Sequence, residues 1–77
     1  MSPKLPRVTG SEVIKALHRT GWYPERQKGS HVHLKNPNRP GMRVTVAVHT
    51  GETIKPATLR TILDQAGLTV DQFVELL

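Results

Sequence analysis

His31 and His33 are the side chains of this sequence best suited to chemistry. They lie two residues apart in Gly29-Ser30-His31-Val32-His33, a short alternating run after a Gly-Ser break. Residues i and i+2 of a β-strand share a face, so both imidazoles project to one side while Val32 and Leu34 project to the other. Imidazole is the side chain whose proton moves near neutral pH. A solvent-facing pair on a basic chain points to acid–base chemistry or to anion binding.

Three cations flank the pair in sequence. Lys28, Lys35 and Arg43 are the candidates for positioning an anionic substrate. Gly29 and Ser30 shape the start of the strand, and the Ser30 hydroxyl is a candidate donor to a phosphate. A serine nucleophile is not expected, because no acidic residue is apparent to orient a base. His-x-His on a strand, with His49 as a third ligand, is also a pattern that binds zinc. No Asp or Glu lies close in sequence to orient such ligands, and the nearby cations repel a metal ion. No metal and no other cofactor is therefore expected. His18 falls on a helix and is assigned to the surface, whereas strand pairing decides how near His49 comes to the site.

The 77 residues suffice for one small domain, expected to span 1–77. Eleven Lys and Arg oppose six acids, for a net charge of +5 and a pI near 10.3. That balance favours nucleic acid or an acidic protein as the partner. The chain has no Cys, so there is no disulfide framework, no thiolate metal site and no cysteine nucleophile. Its absence fits a reducing compartment, and a cytoplasmic location is expected. Residues 1–7 contain prolines and basic residues but no apolar stretch, unlike a signal peptide. No run of about 18 apolar residues exists, so no membrane association is expected.

The elements that must carry these side chains are well marked. Residues 1–8 read as a loose arm. Thr9 and Glu12 fit a capping box, with Val8 and Val13 as its hydrophobic staple. Val13, Ile14 and Leu17 form a helical stripe beside Ala16, and Gly21 ends it. Trp22 to Lys28 reads as a first strand, placed at an edge by Pro24. Trp22 is expected to pack in the core at the end of the first helix. Base stacking is the alternative for it and for Tyr23. Ser30 to Lys35 is the second strand, and residues 36–41 form a hairpin loop dense in turn formers. Met42 to His49 is the third strand, with Val44, Val46 and Val48 on one face. Pro56 starts a second helix whose Leu59, Ile62, Leu63 and Ala66 share a face, and Gly67 stops it. A second capping box at Thr69 and Gln72 opens a short last helix that brings Phe73, Leu76 and also Leu77 to the core.

The fold class predicted is α+β, in the order α-β-β-β-α plus a short C-terminal helix. A three-stranded antiparallel sheet carries the helices on one face. The other face holds His31, His33, Lys35, Arg43, Thr45 and His49, open to solvent.

From residue 11 to 68 the chain resembles the HicA-type toxins, also called the YcfA-like family. The resemblance rests on Gly29-Ser30-His31, the Asn36-Pro37 to Pro40-Gly41 hairpin, the valine strand ending near His49, and the helix from Pro56 to Gly67. It implies a fold like that of double-stranded RNA-binding domains and an mRNA interferase activity that inhibits translation. It also implies a HicB-type antitoxin as partner and His31 as the catalytic histidine. Many members carry a second histidine directly after the first, where this chain has Val32, so a mechanism needing adjacent histidines is not carried over.

Without a metal, such an enzyme has the ribose 2′-OH attack the neighbouring 3′-phosphate, with a base and an acid moving protons. His31 suits either role. His33 is a candidate for the second proton carrier, a phosphate ligand or a supporting group, alongside Ser30 and Gly29. Lys28, Lys35 and Arg43 are then the RNA-binding candidates, stabilising charge on a phosphorane. The competing readings are a non-catalytic RNA-binding module and an adaptor that recognises an acidic protein.

Overall fold

The structure, a computed structural model, describes residues 4–77. Thr9 opens the first helix, α1 (Gly10–His18). Its hydroxyl accepts from the Glu12 N–H at 3.3 Å, and the Glu12 carboxylate accepts from the Thr9 N–H at 2.9 Å. Two backbone amides at the helix start are thus satisfied reciprocally. The Thr9 backbone N–H, and then its hydroxyl, hold the Glu12 carboxyl below its ordinary value. Regular helix stops at His18, but the chain closes at Gly21 as the sequence implied. The Gly21 N–H reaches the His18 carbonyl and the Trp22 N–H the Leu17 carbonyl, each at 3.2 Å, with Gly21 at φ 99°. This is the Schellman arrangement, which needs a left-handed residue.

Gly10 has a different task. A Cβ there would collide with the Ala47 carbonyl oxygen and lie 3.1 Å from the Val48 Cα. The start of α1 therefore rests directly on the backbone of the third strand, with no room for a side chain.

Strands β1 (Tyr23–Lys28), β2 (His31–Lys35) and β3 (Val44–Ala47) form an antiparallel sheet in that order. Gly29, at φ 59°, and Ser30 make a two-residue turn, the type II′ pattern that suits a twisted hairpin. This turn pairs Lys28 with His31 and Arg26 with His33. Pro24 sits in the edge strand, as its missing N–H requires, and the register shifts between Pro24 and Arg26. The extra residue is Glu25, a β-bulge. Trp22 precedes the strand and is only 1% exposed, so it packs in the core rather than stacking on a ligand.

β3 is shorter than the Met42–His49 span expected. Residues 36–42 turn their hydrogen bonds inward: Arg39 N–H to Asn36 O (3.0 Å), Met42 N–H to Arg39 O (3.2 Å) and Asn38 N–H to Asn36 Oδ1 (2.9 Å). The ladder accordingly ends at Leu34 opposite Val44. At its other end the Val48 N–H still reaches the Ser30 carbonyl at 2.7 Å before the chain turns at His49.

α2 (Pro56–Ala66) begins at Pro56 and ends on Gly67 at φ 73°. α3 (Val70–Glu75) opens with the Thr69–Gln72 capping box. Helices and sheet bury one shared layer. Val32, Leu34, Val44 and Val46 meet Val13, Leu17, Leu59 and Ile62, with Phe73 of α3 fully enclosed. Leu77 departs from expectation. The last helix ends at Glu75, so Leu77 leaves the apolar stripe and is 51% exposed.

The segment before α1 is also not loose over its described length. Leu5 packs against the core, Val8 is buried, the Ile54 N–H donates to the Val8 carbonyl at 2.8 Å, and Thr9 bridges to Thr53. Two apolar side chains and this pairing dock it beside the β3–α2 connection. Residues 1–3 of the expected arm lie outside the described residues. The result is an α+β fold with a three-stranded antiparallel sheet and helices on one face, consistent with the double-stranded RNA-binding-domain type.

Candidate active site

Alternation along β2 turns Val32 and Leu34 inward and leaves His31, His33 and Lys35 on the open face. Cross-strand pairing then assigns each of them neighbours. His31 lies between Lys28 of β1 and Ala47 of β3. His33 lies between Arg26 and Thr45. The two histidines are about 7 Å apart along the strand, from its rise per residue.

Their surroundings differ. His31 is exposed, and its neighbour on one side is the small Ala47. His33 is half-buried, and its Nδ1 lies 3.0 Å from the Thr45 hydroxyl. That contact orients the ring. Beyond His33, the Lys35 ammonium pairs with the Glu25 carboxylate at 3.4 Å, both side chains partly exposed. Glu25, Arg26, His33, Lys35 and Arg43 line one shallow depression.

The face therefore gathers Arg26, Lys28, Lys35 and Arg43 against Glu25 alone. All the expected cations are on it, with Lys28 directly beside His31. Glu25 and Arg26 were missed from the sequence. Arg26 was recoverable, because a two-residue turn at Gly29-Ser30 counts back to an Arg26–His33 pair. Glu25 was not, since it reaches Lys35 through the bulge. Gly29 shapes the turn by its positive φ, and a Cβ there would meet nothing within 4 Å. Ser30 is half-buried, and its carbonyl extends the β2–β3 pairing.

His18 is exposed on α1, away from this group. Tyr23 is exposed at the start of the edge strand. His49 is exposed just past β3, where it lines a separate concavity with Glu52, Lys55 and Thr58. Among the described residues no three His, Cys, Asp or Glu side chains gather closely enough to hold a metal ion. Among them, too, no helix is long and apolar enough to cross a membrane.

The open antiparallel face thus carries two imidazoles set among cations. The chain belongs to the HicA toxin family of bacterial toxin–antitoxin systems, whose family model matches residues 10–68. The match runs from the first residue of α1 to just past the Gly67 cap, so α3 lies outside it. Membership implies an antitoxin as partner. Among curated proteins no match was found.

Proposed function

We propose that this toxin is an mRNA interferase, an endoribonuclease whose proton-transfer residue is His31. The observation that carries the reading is the pairing of exposed His31 with Lys28 on the open sheet face. The 2′-oxygen of one nucleotide bonds to the adjacent phosphorus as its proton passes to a base. The P–O5′ bond then breaks, and an acid protonates the departing 5′-oxygen. The products are a 2′,3′-cyclic phosphate and a 5′-hydroxyl. His31 moves one of these protons. Lys28 beside it stabilises the added negative charge on the phosphorane.

His33 is the candidate for the second proton carrier or for a phosphate ligand. Lys35 and Arg43 hold the RNA backbone, and Ser30 and Gly29 support the start of β2. The reaction as drawn uses no cofactor. A HicB-type antitoxin, acting in the cytoplasm, would silence the enzyme by covering this face. The family match and the net positive charge of the face support both parts of the reading.

The test compares the intact chain with His31→Ala on a defined mRNA, with and without excess EDTA. Loss of cleavage and of growth inhibition in a folded variant, with chelator-resistant activity in the parent, is the expected result. A folded variant that still cleaves at the parent rate removes His31 from the mechanism. Activity lost in EDTA and restored by zinc or magnesium replaces acid–base catalysis with a metal route.

A further inference from the structure

The loop leaving β3 builds a second concavity next to His31. Ala47, the cross-strand partner of His31, is also one of its walls. His49, Glu52, Thr53, Ile54, Lys55 and Thr58 complete a hollow of about 310 Å³. Its position follows from the chain path. The His49 carbonyl accepts the Glu52 N–H at 3.0 Å in a turn, Thr53 bridges back to Thr9, and Lys55 precedes the start of α2. Ala47 carries only a methyl group, so the wall shared by the hollow and the cross-strand partner of His31 is small.

The lining has mixed charge. Among the described residues the one ion pair is Lys35 with Glu25, so Glu52 and Lys55 are not paired with each other. The adjoining hollow, where Lys4, Arg7 and Arg60 meet, contains no acid and suits a phosphate. The Glu52 carboxylate repels a phosphate but accepts hydrogen bonds, and it has no donor of its own. A neutral ligand with adjacent N–H groups fits it.

We infer that this hollow is a nucleobase subsite that selects guanine beside the phosphate held at His31. The inference rests on the ribonuclease reading of His31 for its place in the reaction, but not for binding. Guanine alone among the four bases offers two adjacent donors, N1–H and the 2-amino group, on its Watson–Crick edge. Adenine and cytosine each set a donor beside an acceptor there, and uracil has one donor between two acceptors. Glu52 takes the two guanine donors together, and Lys55 donates to O6. The His49 ring supplies a face for stacking, as single-stranded RNA recognition commonly uses.

The experiment titrates the full chain with guanosine, inosine, adenosine, cytidine and uridine 3′-monophosphates, reading amide shifts by NMR. Guanosine should bind tightest, with shifts over residues 49–58, and inosine, which lacks the 2-amino group, about tenfold more weakly, the effect of about 1.4 kcal/mol. Glu52→Gln, which presents a donor as well as an acceptor, should erase the guanine preference while circular dichroism stays unchanged. His31→Ala should keep it. Equal binding of all five nucleotides, or shifts confined to the hollow of Lys4, Arg7 and Arg60, overturns the subsite. Because the assay needs no cleavage, an inactive His31 reading and an absent base site give different results.

Discussion

The His33 imidazole and the Thr45 hydroxyl meet across β2 and β3, 3.0 Å apart on the open face of the sheet. One histidine of the pair is thereby held in a fixed orientation, while His31 is exposed between its cross-strand partners Lys28 and Ala47. A fixed ring suits a group that orients a phosphate or passes a proton along one line, and a freer ring suits the group that must approach the ribose.

Thr45→Val removes the hydroxyl and nearly keeps the shape. If the contact serves to aim His33, RNA cleavage should fall about tenfold, the effect of one lost hydrogen bond of about 1.4 kcal/mol. His33→Ala should lose at least as much, and the double variant no more than His33→Ala alone. Single-turnover rates on one RNA decide the point. Additive losses in the double variant would show that Thr45 acts without His33.

Glu25 is the acid in the cationic face, and Lys35 spends part of its charge on it. An exposed pair of this kind contributes at most about 1 kcal/mol to stability. Glu25→Gln should therefore leave the fold intact and tighten RNA binding. Lys35→Ala and Arg43→Ala should each weaken binding and lower the magnitude of the log K against log salt slope by about 0.7 if each contacts one phosphate of single-stranded RNA. A salt titration of RNA affinity measures all three. Unchanged slopes in both alanine variants would move the RNA off this depression.

The lowered value of Glu12 has a consequence in acid. A carboxyl held below its unfolded value of 4.5 contributes stability that is complete above 4.5 and is lost as pH falls through the folded value. Glu12→Gln keeps an acceptor for the Thr9 N–H but removes the charge. Urea midpoints of parent and variant should differ at pH 7 and converge below pH 4.5. Thr9→Ala, which removes the hydroxyl cap, should cost about 1 kcal/mol. A gap between parent and Glu12→Gln that persists at low pH would point to packing rather than charge.

Local chemistry was the legible part of this chain. Both capping boxes, the Gly67 stop and the break at Gly29-Ser30 depend on residues within a few positions of one another, and the valine alternation showed which face of the sheet is open. Non-local approach was not legible. Nothing in Thr9-Gly10-Ser11 announces that Gly10 lies on the Ala47 carbonyl, and Pro24 marks an edge without showing that Glu25 bulges toward Lys35. The hollow beside His31 depends on how the connection from His49 to Thr58 folds back against Thr9. Leu76 packs against the core as expected, but Leu77 was misjudged for a related reason, since a stripe counted forward from Phe73 has no signal for the helix ending at Glu75.

All six residues of β1 are exposed, and among the described residues its outer edge has no strand partner. A bare edge invites neighbouring chains to pair and aggregate, and charge, proline and bulges are the usual protection. Pro24, the bulge at Glu25, and the charges of Arg26 and Lys28 supply all three here. The cations facing the histidines therefore also help keep separate copies of the chain in solution. Stripping Arg26 and Lys28 together weakens that protection, so an inactive double variant needs its sedimentation measured before its silence is credited to catalysis.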